Sequence, residues 1–218
     1  GGAVTAFELI KQKKKVLLIE SGRNYPLSSC KPYSSLEMEQ KYKYGGLNPT
    51  YNNPKVAYVE GSCVGGGSEV NSGFYHRTPN EIIDSWSKEY NIENFSSSEL
   101  EKHFKIIEKE ISVSYLPKSV VPAKASLKLK EGADALGWQS MEVPRWFKFN
   151  NDGTGIKQSM TETFIKWYID RGGELQSEVK AQNIFYDNKK WQVSCIDLKN
   201  QETIIINTKY LFLCAGAV

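Results

Sequence analysis

The chain has 218 residues, of which 40% are hydrophobic and 24% are charged, and its formal net charge is +3. This composition is ordinary for a globular protein, and so small a net charge argues against nucleic acid or an anionic membrane surface as a partner. No run of about 18 apolar residues is present, so no membrane span is expected. The cysteines show no Cys-x-x-Cys spacing and the two histidines lack suitable partners, so neither a disulfide framework nor a metal site is predicted.

The N-terminal residues have the pattern of half a dinucleotide-binding βαβ unit. Apolar side chains three residues apart predict a helix that opens on Gly1 and Gly2. Residues 16–19 are then continuously apolar, as in a buried parallel strand, and Glu20 and Ser21 follow at its carboxyl end. Glu20 lies about 18 residues after Gly2, close to the spacing of the acid that binds a ribose hydroxyl. The alternative for Glu20 is a surface carboxylate at a strand end.

Residues 61–71, Gly-Ser-Cys-Val-Gly-Gly-Gly-Ser-Glu-Val-Asn, are the most distinctive run of the chain and are called the glycine segment below. Glycine adopts positive φ and lets a backbone approach a ligand closely. Backbone N–H groups clustered in this way can hold a phosphate or the edge of a flavin. Taken alone, a glycine-rich run of this kind is more often an ordinary flexible loop.

The C-terminal residues 208–217 form a second apolar run, which predicts a buried strand that closes on Ala215 and Gly216. In an open α/β sheet, ligands bind at the carboxyl ends of the strands. A glycine there would let the chain pass against a cofactor. The alternative is that Gly216 only begins a turn.

The remaining residues alternate between helix and strand patterns. Residues 24–58, rich in Tyr, Pro, Asn and Gly, are expected to be an extended excursion with little regular structure. The predicted helices are 79–86, 97–112 (capped by Ser97 or Ser98), 122–136 and a helix opened by the capping-box sequence 159–162. The predicted strands are 175–186, 191–197 and 203–207, which the intervening turns join into a small antiparallel meander.

Together these residues resemble the glucose–methanol–choline (GMC) family of FAD-dependent oxidoreductases, over nearly the whole chain. The first FAD segment of the family looks like Gly1, Gly2, Glu20 and Gly22, and its Gly-x-x-x-Gly-Gly-x-Ser-x-x-Asn hallmark looks like Gly61, Gly65, Gly66, Ser68 and Asn71. Ala181 stands where the family often has a valine whose backbone meets the adenine. The resemblance thus implies these cofactor-binding residues: Gly1, Gly2, Glu20, Ser21, Gly61, Gly65, Gly66, Ser68, Asn71, Ala181, Ala215 and Gly216.

The resemblance also implies a fold class and a domain organisation. The fold is an α/β, Rossmann-like FAD-binding domain, with a doubly wound sheet and a small antiparallel meander, truncated at both ends. Residues 1–90 and 153–218 are expected to form this domain, and 91–152 a mostly helical insertion of the substrate region. Because the first, central strand is missing, the 218 residues alone are expected to fold poorly and to be inactive.

The activity implied is oxidation of an alcohol, with hydride transfer to flavin N5. The catalytic histidine of the family is expected beyond the chain, so no catalytic residue is assigned within it. Some members attach FAD through a histidine just before the loop asparagine, but that position is Val70 here, so noncovalent FAD is expected. A cytoplasmic location is expected. The resemblance does not specify the alcohol, nor whether oxygen, a quinone or a cytochrome accepts the electrons.

Three other functions stay open at this point. An FAD enzyme of another family, such as an amine oxidase or a fumarate-reductase-like enzyme, could share the N-terminal pattern, although the glycine segment argues against it. An NAD-binding enzyme is disfavoured by the long excursion and by the meander. A non-catalytic nucleotide-binding module is the third.

Overall fold

The computed structural model of the chain describes residues 1–51 and 53–216. Its helices are α1 (Gly2–Lys11), α2 (Ser35–Lys41), α3 (Gly67–Val70), α4 (Asn80–Glu89), α5 (Ser97–Glu110), α6 (Lys124–Ala135) and α7 (Phe164–Asp170). Its strands are β1 (Leu17–Glu20), β2 (Asn48–Pro49), β3 (Ala57–Tyr58), β4 (Val113–Ser114), β5 (Arg145–Phe149), β6 (Gly155–Lys157), β7 (Glu174–Ser177), β8 (Val179–Asp187), β9 (Lys190–Asp197) and β10 (Thr203–Thr208). Short 3-10 turns lie at Leu27–Ser29 and Lys43–Gly46.

The chain divides into two compact units, one made of Gly1–Asn71 and the chain from Met160 onward, the other of Ser72–Ser159. The predicted limits of the FAD-binding domain and of the insertion, at 90/91 and 152/153, are functional boundaries and stay a prediction. No helix of the described residues is long and apolar enough to cross a membrane.

The first unit is built on a parallel pair of strands, β1 and β7, in which Leu17 pairs with Glu174. Helices α1 and α7 pack together through Phe7 and Phe164, whose rings meet edge to face at 5.5 Å. The buried Tyr168 hydroxyl lies 2.9 Å from the Val16 carbonyl and 2.8 Å from that of Glu174, and so ties the starts of both strands to α7. The helix and parallel strand predicted at the N-terminus are thereby confirmed, although β1 is half-buried.

The predicted antiparallel meander is also confirmed, with the strand order β10-β9-β8. Asn188 and Lys189 both have positive φ, as a two-residue turn between twisted strands requires. Val179, Val193 and Cys195 form the buried core of the meander, and Ile19 of β1 packs against it. The meander is therefore joined to the parallel pair through apolar contacts.

The second unit contains α4, α5, α6 and a three-stranded antiparallel sheet in the order β4-β5-β6. Ile83 of α4 and Ile111, directly after α5, are its buried aliphatic residues among those described. The helix predicted at 97–112 begins at Ser97, but its cap is Ser96, which forms a reciprocal capping box with Glu99. The helix predicted at 122–136 is confirmed, and Gly137 follows it with positive φ.

Residues 208–217 were predicted to be a buried strand, and this prediction is wrong for the part that the structure describes. After Thr208 no described residue forms a strand, and Phe212 and Leu213 are 56% and 73% exposed. Strand β10 is the outer strand of its sheet, so the chain beyond it has no neighbour among the described strands with which to pair. Apolarity alone does not make a strand without a hydrogen-bonding partner.

Three further predictions are corrected. The excursion at 24–58 contains α2, which the Ser34 hydroxyl caps by accepting the N–H of Glu37. The strand predicted at 175–186 is two strands, β7 and β8, because Glu178 takes a positive φ between them. Ser159 does not open a helix, and α7 begins only at Phe164.

Candidate functional site

The glycine segment passes next to Arg23, directly beyond the carboxyl end of β1. The Val64 N–H donates to the Arg23 carbonyl at 2.9 Å, and Arg23 forms a parallel bridge with Cys63. On its other side, the Ser62 N–H donates to the carbonyl of Lys41 at 2.7 Å. The segment is thus held between the end of β1 and the end of α2, at the position where α/β sheets bind ligands.

Two glycines are required by close backbone contacts. A Cβ at Gly22 would overlap the carbonyl of Ser62, and a Cβ at Gly61 would overlap the carbonyl of Gly66. Any larger residue would therefore push the glycine segment away from the end of β1. This packing explains the glycine of the Glu-x-Gly pattern and the first glycine of the segment.

Gly65 and Gly66 have a different role, because their φ angles of 94° and 56° are in the left-handed region. At Gly66 and Gly67 an added Cβ would meet no protein atom within 4 Å. The backbone here is bent and faces open space that a side chain would fill. These residues fit the FAD that the resemblance implies, because its diphosphate can approach such a backbone directly.

Glu20 lies at the end of β1 beside the glycine segment. Its Oε1 accepts the N–H of Gly22 at 2.7 Å and the hydroxyl of Ser21 at 3.3 Å. Burial raises the pKa of the Glu20 carboxyl above its ordinary value, although these two hydrogen bonds oppose the shift. A carboxylate in this position can accept a hydrogen bond from a ribose hydroxyl.

Ser68 and Glu69 connect the glycine segment to the chain that leads into α7. The Ser68 hydroxyl donates to the Gly65 carbonyl at 2.8 Å and accepts the N–H of Met160 at 3.0 Å. Glu69, which is buried, accepts both the N–H and the hydroxyl of Thr161 through Oε1, at 3.3 and 3.0 Å. The N–H groups of Met160 and Thr161 thus bond to the glycine segment. Through these contacts Ser68 joins Gly65 of the glycine segment to Met160. The helix starts only at Phe164, because Thr163 before it has the non-helical backbone angles φ −127° and ψ −101°.

The Cys63 side chain is fully buried within the segment. Burial, together with the charges of Glu69 and Glu20, raises the pKa of its thiol to about 12, against the opposing effects of the Lys41 charge and the Gly66 N–H. The thiol is therefore protonated at neutral pH and is a poor nucleophile.

The structure brings the two ends of the predicted site together. The Cys214 side chain lies 3.4 to 3.6 Å from the positions that Cβ atoms at Gly2 and Gly1 would take. Ala215 and Gly216 follow immediately, and Gly216 has a φ of 99°. The predicted residues at 1–2 and 215–216 thus lie beside one another at the start of α1.

Asn71 is the last residue of the glycine segment. It ends α3, where its N–H bonds to the Gly67 carbonyl at 3.0 Å, and it is exposed. Ala181 lies in the meander, where it pairs with Cys195 at the irregularity of β8. The roles of all the predicted cofactor-binding residues stay predictions.

Sequence reasoning missed three residues of the site: Lys41, Glu69 as a buried acceptor, and Thr161. The spacing of Ser34 and Glu37 is a capping signal that would have revealed the start of α2, the helix that ends at Lys41. No pattern in the local sequence predicts the hydrogen bonds between Glu69 and Thr161. Among the described residues no group of His, Cys, Asp and Glu could hold a metal ion.

Comparison with known proteins identifies the family. The model of the GMC oxidoreductase family matches residues 38–218. An uncharacterised GMC-type oxidoreductase of Sinorhizobium fredii is 31% identical over 100% of this chain and 45% of its own length. A long-chain-alcohol oxidase of Arabidopsis thaliana is 26% identical over 100% of this chain and 31% of its own length. The chain thus spans less than half the length of these curated relatives.

Solved structures share the fold at low sequence identity. Pyridoxine 4-oxidase from Mesorbium loti superposes with a TM-score of 0.75 and 14% identity, over 100% of this chain and 48% of that one. Formate oxidase of Aspergillus oryzae gives a TM-score of 0.65 and 12% identity, over 94% of this chain and 41% of that one. The α/β, Rossmann-like FAD-binding fold predicted from the sequence is confirmed. From the family match, and from the fold that agrees with it, we conclude that the chain belongs to the GMC oxidoreductase family, whose N-terminal domain binds FAD.

Proposed function

We propose that the whole protein oxidises the CH–OH group of an alcohol, and that this chain supplies the part that holds the cofactor. The family membership carries the proposal, because GMC oxidoreductases are generally alcohol- or sugar-oxidising enzymes. The bent, open backbone at Gly66 and the half-buried Glu20 carboxylate at the end of β1 support it. When bound, FAD would accept a hydride from the carbinol carbon.

Each part of the site has a distinct task in this proposal. Glu20 accepts a hydrogen bond from the ribose of the cofactor, and the backbone of Gly65 and Gly66 receives the diphosphate. Ser68 and Glu69 fix the curvature of the glycine segment through their bonds to Met160 and Thr161. These residues bind and orient the cofactor; none of them is proposed to move a proton of the substrate.

Long-chain primary alcohols are the first substrates to test. Relatives of this chain in Arabidopsis thaliana are named long-chain-alcohol oxidases. They match 66% to 100% of this chain, including the glycine segment in the match of full coverage. The electron acceptor is left open in the proposal.

We further propose that FAD is held noncovalently. Val70, which precedes Asn71, has no nucleophilic atom. Cys63 is buried, and its thiol stays protonated at neutral pH because its pKa is raised to about 12. Acid precipitation of the holoprotein should therefore release yellow flavin into the supernatant, and flavin that stays in the washed pellet would contradict this assignment.

The activity is tested by anaerobic mixing of the purified holoprotein with a panel of compounds. Long-chain primary alcohols, sugars, choline and sterols should include one that bleaches the flavin absorbance. Bleaching by amines or carboxylic acids alone would overturn the proposal. Re-oxidation of the bleached protein by oxygen, compared with a quinone or a cytochrome, then identifies the acceptor.

A further inference from the structure

Lys41 is a buried cation at the end of α2. It is 1% exposed, and its Nζ has no hydrogen-bond partner among the described residues. An ammonium group taken out of water without compensating hydrogen bonds is strongly destabilising, so lysine is rarely found in such a position unless its charge is matched. An apolar side chain would fill the same space at a lower free-energy cost of burial.

The backbone of Lys41 is bonded to the glycine segment. Its carbonyl accepts the Ser62 N–H at 2.7 Å, and the next residue, Tyr42, forms an antiparallel bridge with Gly61. The charge of Lys41 acts on the buried Cys63 thiol, where it lowers the pKa against burial and the nearby carboxylates. Lys41 is therefore bonded to the segment through its backbone, and its charge acts on a side chain of the segment.

The glycine segment is open at Gly66. No protein atom lies within 4 Å of the position that a Cβ would take there. A dianionic group that approached this backbone would be attracted by the charge of Lys41, which already acts on the Cys63 side chain of the same segment. In a site of low dielectric constant, nearby charges interact strongly and are poorly screened by salt.

We propose that Lys41 is a positioning residue for the cofactor: its positive charge, buried behind the glycine segment, attracts the diphosphate of the dinucleotide bound in front of it. This inference rests on the FAD binding described above. The buried ammonium group, which has no hydrogen-bond partner among the described residues, destabilises the apoprotein, and the diphosphate compensates its charge when FAD binds. The charge of Lys41 thus lowers the stability of the free protein and raises its affinity for FAD.

For the variant Lys41→Met, the inference predicts a more stable apoprotein but weaker FAD binding. Methionine is a suitable replacement because it is unbranched and adapts to the same space. The apoprotein of this variant should melt at a higher temperature than the wild type. Its FAD dissociation constant, from fluorescence titration, should rise about ten- to one-hundredfold. The ratio of the two dissociation constants should change less than twofold between 50 and 500 mM salt, roughly as expected for a buried charge.

Lys43→Met is the matched control. Lys43 is two residues away and forms a half-buried ion pair with Glu60 at 2.8 Å. Its removal should leave the FAD dissociation constant within about twofold of the wild type, since Glu60 already neutralises its charge. Lys41→Gln serves as a second neutral variant if Lys41→Met does not fold.

ADP contains a diphosphate but no flavin, so ADP binding tests which of these two groups the charge of Lys41 attracts. Lys41→Met should weaken ADP binding by the same factor as FAD binding. An unchanged FAD dissociation constant, a loss restricted to FAD, or a fall in apoprotein melting temperature in both neutral variants would each overturn the inference. A wild-type protein that binds no FAD would instead contradict the proposed function itself.

Discussion

The Oε1 atom of Glu69 lies 3.0 Å from the hydroxyl of Thr161, across 92 residues of sequence. The same oxygen accepts the Thr161 N–H at 3.3 Å, so one buried carboxylate serves two donors of a distant segment. This contact joins the glycine segment to the chain that enters α7. The curvature of the candidate cofactor site therefore depends on a group that is remote in sequence.

Replacing Glu69 should destabilise the protein without touching the predicted contacts of the cofactor. Glu69→Ala leaves the donors of Thr161 without their acceptor in a buried place, so the free energy of unfolding should fall by about 2–4 kcal/mol. Glu69→Gln retains an acceptor oxygen and should lose about 1 kcal/mol. Urea unfolding of the apoprotein measures both changes. The exposed Glu39→Ala is the control, with a change within about 0.5 kcal/mol, and an equally small effect of Glu69→Ala would refute the structural role.

Glycines of the segment should differ sharply in their tolerance of alanine. Gly61→Ala places a Cβ against the carbonyl of Gly66, so we expect a loss of at least about 2 kcal/mol in the free energy of unfolding. Gly67→Ala meets no atom within 4 Å and lies in α3, so the apoprotein should change by less than about 1 kcal/mol. Thermal melting of the two apoproteins tests the contrast. Equal stabilities would show that the close contact at Gly61 is not essential.

Glu20→Gln should stabilise the apoprotein at neutral pH while weakening FAD binding. The folded state raises the pKa of the Glu20 carboxyl, so it favours the protonated form and loses stability as the pH rises through the ordinary carboxyl range. The gain from Glu20→Gln should thus be present at pH 7 and disappear below the pKa of the unfolded chain, near 4.5. Loss of a charged acceptor should raise the FAD dissociation constant about ten- to one-hundredfold.

The control for this prediction is Glu8→Gln on α1. Glu8 is exposed and pairs with Lys11 at 2.9 Å, so the stability and the FAD affinity of the Glu8→Gln variant should stay near those of the wild type. Titration of the apoproteins with FAD, together with melting curves from pH 4 to 8, gives the answer. A Glu20→Gln variant with unchanged affinity would remove Glu20 from the cofactor site.

The buried and exposed cysteines should react at very different rates. In the native apoprotein at pH 8, iodoacetamide should label Cys214, which is exposed, before Cys63, whose thiol is buried and has a pKa of about 12. Because the folded state favours the protonated Cys63 thiol, its contribution to stability is lost between the unfolded pKa of 9.0 and about 12. Mass spectrometry of the labelled peptides measures the rates. Labelling of Cys63 as fast as of Cys214 would contradict the burial.

Much of the first unit follows from local sequence. The helix that opens on Gly1, the parallel strand that ends at Glu20, and the meander from Val179 onward are all confirmed. In each case the apolar period or the turn residues specify the element, since their energetic effect acts between near neighbours. The glycine segment was identified as the candidate site for a related reason: its glycines define a backbone conformation that other residues rarely adopt.

The tertiary structure decided where distant groups meet. The segment after Thr208 is apolar, yet it is not a strand, because pairing needs a neighbouring strand. The N–H groups of Met160 and Thr161 bond to Ser68 and Glu69, which are 92 residues away in sequence. Thr163 then has non-helical backbone angles, so α7 starts only at Phe164. These outcomes depend on partners that no local pattern contains.

The same distinction applies to charge. From the sequence by itself, Glu20 was predicted to be a cofactor-binding residue because its position after a strand has a known spacing from Gly2. Lys41 carries no such signal, and only the packing of α2 against the glycine segment buries it. A local pattern determines which residues and backbone conformations are available. Burial and electrostatic coupling are properties of the surrounding atoms, which the fold alone assembles.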